Sequence, residues 1–70
     1  MRVRVTEVSV PAMSTIGQAT GTDLDTGEPV RFVGEPRLLY DVGAAVAGAT
    51  ELEDCPIVEV EDWQIGWGVR

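Results

Sequence analysis

The most constraining feature of this 70-residue chain is a change of phase in the alternation of its valines. Val3 and Val5 occupy odd-numbered positions near the start, whereas Val8 and Val10 occupy even-numbered positions. Because side chains alternate between the two faces of a strand, all four valines can face one core only if an extra residue lies between the pairs. The sequence therefore predicts a bulged strand, with the bulge near residues 6–7, as in tightly curved barrels.

The residues that follow favour a hairpin of two further strands. Residues 14–24 keep β character and contain Gly17 and Gly21, where a strand can bend or another backbone can approach closely. The Asp-Thr-Gly segment 25–27 supplies turn residues, and its glycine can take the positive φ that closes a hairpin. A third strand is then predicted over residues 28–33.

One helix is predicted over about residues 36–48. Pro36 suits the first turn of a helix because its missing N–H would have no partner there, and Gly48 offers a stop. Apolar residues recur between these two points at helical spacing and form one stripe. The stripe consists of Leu38, Leu39, Val42, Val46 and Ala49.

The C-terminal segment predicts either two strands or one strand with a bulge. Val58 and Val60 alternate with glutamates, and the parity of the apolar residues changes beyond Asp62. The second strand face is predicted to consist of Trp63, Ile65, Trp67 and Val69. Because so small a barrel has few other large side chains, we expect Trp63 to fill its core, with Trp67 the candidate for exposure.

This order of elements resembles the oligonucleotide/oligosaccharide-binding fold, a five-stranded barrel with a helix between its third and fourth strands. The resemblance covers nearly the whole chain and rests on element order, the bulged first strand and the hairpin at residues 25–27. It implies a mainly-β fold, a small five-stranded barrel with one short helix, in a single domain over residues 1–70. The segment after the helix is short for two strands, so an SH3-like barrel or a small α+β sheet stays open.

The composition argues against most catalytic and metal chemistry. The chain has 12 acidic and 5 basic residues, a net charge of −7, no histidine and one cysteine. Without a histidine to take its proton, Cys55 is not activated as a nucleophile, and one thiol cannot form an intramolecular disulfide or a thiolate metal site. We therefore expect a non-enzymatic protein without metal or cofactor.

The Asp-Thr-Gly segment also matches the catalytic signature of aspartic proteases, in which Asp25 would act in a homodimer. Residues 65–66 match the bracing segment of those enzymes only in part, so a hairpin turn is the preferred interpretation and a dimeric protease the remote alternative. Asp23, Asp25 and Glu28 begin like a calcium loop, but the bidentate glutamate that ends such a loop is missing.

The leading functional hypothesis is an interaction module that contacts a basic protein partner. Half of the acidic residues fall between positions 51 and 62. Carboxylates at alternate strand positions project in a row, and such a row steers a basic partner, although it also fits a solvated edge that discourages aggregation. The expected contact residues are Glu59, Glu61, Asp62 and Trp67. A homo-oligomer is also compatible with the sequence.

The alternative hypothesis is single-stranded nucleic-acid binding on the barrel face. Aromatic side chains would stack on bases and arginines would contact phosphate, although the net charge opposes nucleic acid. The residues of this alternative site are Arg31, Phe32, Arg37, Tyr40 and Trp67.

Source and location follow from composition. All five basic residues are arginine, and lysine and asparagine are missing, which is typical of a GC-rich genome; we expect a bacterium or its phage. No apolar run has membrane-spanning length, and residues 1–10 alternate in polarity instead of forming a signal-peptide core, so a cytoplasmic protein is expected.

Overall fold

The computed structural model describes residues 1–66, in which four antiparallel strands form a sheet that curls into a half-barrel. The strands follow the order β3-β2-β1-β4, so the first strand is central and pairs with the last. The mainly-β prediction with one principal helix is confirmed, whereas the count of five strands is wrong. The elements are β1 (Arg2–Ser9), β2 (Gly17–Asp23), β3 (Pro29–Gly34), α1 (Pro36–Gly48), a 3₁₀ turn (Leu52–Asp54), β4 (Ile57–Glu59) and α2 (Asp62–Gly66).

The predicted bulge lies in β1. The pairing of β1 with β2 shifts register between Val5 and Glu7, which leaves Thr6 as the extra residue. Thr6 and Glu7 are both exposed, Val3 and Val5 are fully buried, and Val8 packs against the same core. The phase change in the sequence is therefore the bulge itself, and the prediction is confirmed.

The two central strands approach each other so closely at Gly21 that no side chain fits there. A Cβ at this position would collide with the carbonyl oxygen of Arg4 and lie 2.8 Å from Cγ1 of Val3. Gly43 of α1 differs, because a Cβ there would lie 3.5 Å from Cγ1 of Val8, an ordinary contact distance. Of these two glycines, only Gly21 is required by the close approach of two backbones.

The hairpin between β2 and β3 has the predicted turn. Gly27 has φ 77° and donates its N–H to the carbonyl of Asp23 at 2.8 Å. The side chain of Asp23, which is buried, accepts the N–H of Asp25 at 2.8 Å through Oδ1. This Asx turn explains why a carboxylate is buried at the end of β2.

Helix α1 spans the predicted residues, but its apolar stripe is narrower than expected. Leu39 is buried, and Val42 and Val46 are half-buried against the core. Leu38 is 61% exposed, so its assignment to the core is wrong. Adjacent helical positions lie about 100° apart, and α1 turns Leu39 inward and Leu38 outward.

The strand predicted beyond Asp62 is wrong, because residues 62–66 form the short helix α2. Residues that are two positions apart on a helix lie on nearly opposite faces, so the side chains of Trp63 and Ile65 point in different directions. Ile65 packs on the core, whereas Trp63 is 60% exposed and does not fill the core as predicted. Trp67 and Val69 lie outside the described residues.

The core joins the sheet to α1 and to the residue after β4. Its buried members are Val3, Val5, Ala19, Phe32, Leu39 and Val60. Within residues 1–66, no helix has the length and apolar character needed to cross a bilayer.

We expect Gly21→Ala to destabilise the fold by about 1–3 kcal/mol, because the added methyl group meets the backbone of β1. The matched variant Gly43→Ala should stabilise it by up to about 1 kcal/mol, because alanine is the better helix former and its Cβ finds room. Urea unfolding followed by circular dichroism measures both. Equal stability of the two variants would contradict the close approach at Gly21.

Candidate functional site

The pairing of β1 with β4 brings the two ends of the described chain together. Arg2 lies opposite Glu59 and Val3 lies opposite Val58. Beyond this ladder, the N–H of Val60 donates to the carbonyl of Met1 at 2.7 Å, and the Met1 ammonium donates to the carbonyl of Val60 at 3.1 Å. β4 is thereby fixed beside the central strand, and the acidic residues that follow it are placed at one end of the sheet.

An acidic cleft lies where β4 gives way to α2. It has a volume of about 320 Å³ and is lined by Met1, Glu59, Val60, Glu61, Asp62 and Trp63. Val60 is buried, whereas the three carboxylate residues and Trp63 are exposed. The Glu59 side chain is 73% exposed and lies 3.7 Å from the Met1 ammonium. The cleft thus combines negative charge with one accessible indole.

Three of the four residues expected to contact a protein partner line this acidic cleft, namely Glu59, Glu61 and Asp62. The fourth, Trp67, lies outside the described residues. Trp63, which the sequence assigned to the core, is the aromatic residue of the cleft.

Gln64 holds α2 in place, a role that the sequence analysis missed. Its Oε1 accepts the N–H of Glu61 at 2.8 Å, and its Nε2 donates to the carbonyl of Val33 on β3 at 2.8 Å. The first bond is the return half of a capping box, in which a Glu or Gln three residues after the N-cap satisfies the N-cap N–H. The spacing of Glu61 and Gln64 is the signal that could have found this helix start.

Arg4 fixes the other acidic segment. Its Nη1 donates to the carbonyls of Leu52 at 3.2 Å and Glu53 at 2.9 Å, and thereby ties the 3₁₀ turn to β1. The guanidinium therefore binds backbone oxygens here. The carboxylates of the 3₁₀ turn, Glu53 and Asp54, are exposed.

An apolar groove runs between α1 and β4. Its volume is about 260 Å³, and its apolar wall consists of Phe32, Leu38, Leu39, Val42 and Val58. Asp41 and Glu59 also line it, so two carboxylate residues border an otherwise apolar surface. Glu59 belongs to the acidic cleft as well, which makes the two depressions neighbours.

The residues of the alternative nucleic-acid site are not brought together in a comparable way. Phe32 is only 2% exposed and belongs to the core, so its ring is not available to stack on a base. Arg31 is exposed on β3, and Arg37 and Tyr40 are exposed on α1. Phe32 is therefore withdrawn from this set, and Trp67 lies outside the described residues.

The residues considered for catalysis and metal binding are the carboxylates near the hairpin turn and the single cysteine. Asp25 is exposed at the hairpin, and the carboxylate of its neighbour Asp23 accepts a backbone N–H. Cys55 is half-buried, with its sulfur 3.9 Å from the carbonyl oxygen of Glu51. Among the described residues, no group of three or more Cys, Asp or Glu side chains is arranged to hold a metal ion.

Compared with known proteins, the chain matches no family model, no curated protein and no solved structure. The acidic cleft and the apolar groove are therefore the features from which function is inferred.

We expect Gln64→Met to destabilise the fold by about 1–3 kcal/mol, because two hydrogen bonds between α2 and its surroundings are lost. Gln18→Met on the exposed face of β2 is the matched control and should change stability by less than about 0.5 kcal/mol. Urea unfolding provides the comparison, and amide hydrogen exchange at Glu61, whose N–H donates to Gln64, reports on the helix start directly. Unchanged exchange at Glu61 in Gln64→Met would show that Gln64 does not hold the helix.

Proposed function

We propose that this protein is a non-enzymatic interaction module that binds a basic segment of another protein through the acidic cleft. The observation that carries the proposal is the convergence of Glu59, Glu61 and Asp62 around the exposed indole of Trp63. Carboxylates attract arginine and lysine, and the face of an indole is the best aromatic partner for a cation. One small surface thus offers both kinds of contact that a basic side chain uses.

The magnitudes favour a partner with several positive charges. A single exposed ion pair is worth about 0–1 kcal/mol, and a cation over an exposed indole adds about 0.5–1 kcal/mol. One contact would therefore bind weakly, whereas three or four made together sum to about 2–4 kcal/mol, which corresponds to a dissociation constant in the millimolar range. The net charge of −7 adds long-range steering, which weakens as salt screens the charges.

We extend the proposal to a cytoplasmic modulator, encoded by a bacterium or its phage, that acts on a host or assembly partner. The amino-acid usage supports the source, since all five basic residues are arginine and lysine and asparagine are missing. No observation favours nucleic acid as a second ligand. Phe32 is buried, and the negative surface charge would repel a phosphate backbone.

The test compares two triple variants that carry the same net charge. Glu59→Gln, Glu61→Gln and Asp62→Asn neutralise the cleft, whereas Glu7→Gln, Asp25→Asn and Glu28→Gln neutralise three exposed acidic residues elsewhere. Binding of a fluorescein-labelled peptide of arginines spaced by glycines is followed by anisotropy at low and at moderate salt. We expect the cleft variant to lose about tenfold in affinity, because three ion pairs are removed, and the control to lose about twofold or less.

Equal losses in the two triple variants would contradict the proposal, because the peptide would then respond to overall charge. A peptide that does not bind the unmodified protein at low salt would contradict it as well. A single-stranded oligonucleotide that binds more tightly than the peptide would favour the nucleic-acid alternative instead.

A further inference from the structure

We infer that the partner segment binds as an added β-strand along the outer edge of β4 and places one apolar side chain in the apolar groove. The inference rests on the proposed function, because it gives the basic segment a conformation and an anchor. Its evidence comes from the backbone of β4 and from the apolar wall of the groove, and Glu59 is the residue that the groove shares with the acidic cleft.

The backbone of β4 presents hydrogen-bonding groups on its outer side. Within residues 1–66, β4 is the last strand in the sheet order, and Val60 exchanges both of its backbone hydrogen bonds with Met1 beyond β1. In an antiparallel pair, successive residues direct their N–H and C=O groups to opposite edges. The backbone groups of Ile57 and Glu59 therefore point away from β1, toward the position that another strand would take.

The other edge of the sheet is not equivalent. On β3, the carbonyl of Val33 accepts the Nε2 of Gln64, and α2 packs against this strand. Part of the β3 edge is thus covered by the chain itself. β4 is the edge at which strand addition, a common mode of peptide recognition, fits this fold.

The apolar groove lies on the side to which an added strand would direct every second side chain. Val58 points toward the core and lines the groove together with Phe32 and Val42. Side chains on one face of adjacent strands lie about 4.5–5.5 Å apart, so the residue placed beside Val58 would enter the groove. At about 260 Å³, the groove has room for one large aliphatic side chain.

The charge around the groove selects the flanking residues of that strand. The residues on either side of the apolar anchor would turn outward, beside Ile57 and Glu59. Asp41 and Glu59 line the groove, and Glu61 follows in the acidic cleft. Glu59 favours a basic residue beside it, although Arg2 of β1 already lies opposite Glu59, whereas the other flank lies beside Ile57 and meets no carboxylate there. A basic residue on each side of the apolar anchor places one of them beside Glu59 whichever way the added strand runs.

A second copy of this chain fits the same edge poorly. Each chain carries a net charge of −7, so two copies of this acidic edge would repel one another. The complementary occupant is a basic segment of a different protein.

The experiment uses labelled peptides and the intact protein. One peptide has a central leucine between two arginines within a threonine-rich segment, and a second has serine in place of the leucine. Two further forms of the leucine peptide carry backbone N-methyl groups at alternate residues, in one register or the other. Each is titrated by anisotropy against the unmodified protein, against the cleft variant and against Leu38→Gln with Val58→Thr.

We expect the leucine peptide to bind about tenfold more tightly than the serine peptide, because its side chain leaves water for the groove. The groove variant should reduce this advantage to about threefold or less and leave the affinity for the serine peptide unchanged. Circular dichroism and a melting curve check that the groove variant is folded. N-methylation should abolish binding in one register and spare it in the other, because only one set of N–H groups faces β4.

The outcomes separate the inference from the proposed function. If leucine and serine peptides bind equally and both depend on the acidic cleft, the inference is overturned and the proposed function stands. Equal effects of the two N-methyl registers would likewise overturn the added strand. If no peptide binds, both fail. Self-association that Leu38→Gln disrupts would assign the groove to a second copy and overturn the inference.

Discussion

The extra residue in β1 is the constraint on which the rest of the structure depends. β1 is the central strand and contacts β2, β4 and α1, so its inner side chains must serve two parts of the core. The bulge lets Val3 and Val5 face the core beside β4 and then returns Val8 to the core beneath α1. Without it, the second half of the strand would turn Val8 to solvent, and α1 would lose the side chain that packs beside Gly43.

The elements that the sequence predicts well are those with a strong local signal. Valine parity locates the bulge, the Asp-Thr-Gly turn locates the hairpin, and Pro36 with helical spacing locates α1. The segment beyond Asp62 has only the spacing of Glu61 and Gln64 as a local signal, because a helix of five residues is too short to show its period. Trp63 and Ile65 are spaced as in a strand. The contrast between buried Phe32 and exposed Trp63 depends on tertiary position rather than on residue type.

The candidate site likewise has one part that the sequence predicts and one part that it does not. Alternation within the sequence brings the acidic residues together, and the structure places Glu59, Glu61 and Asp62 on one cleft. The place of Trp63 in the acidic cleft and the apolar groove could not be predicted from the sequence. Both depend on how the chain after β4 forms α2 and packs against β3. After β4 the chain forms α2, which packs against β3 and is held there by Gln64, and β4 remains the last strand of the sheet in the described chain.

The contact between Met1 and Val60 has a consequence for the order in which the structure forms and opens. It joins residues 59 positions apart, whereas β1, β2 and β3 are neighbours along the chain. Contacts between distant residues pay a larger entropy of loop closure, so the three-stranded meander can assemble before β4 joins it. β4 contributes only three residues, and the region beside it should therefore unfold at a lower free energy than the meander. A partner bound beside β4, as proposed above, would therefore suppress the local opening of this region more than that of the meander.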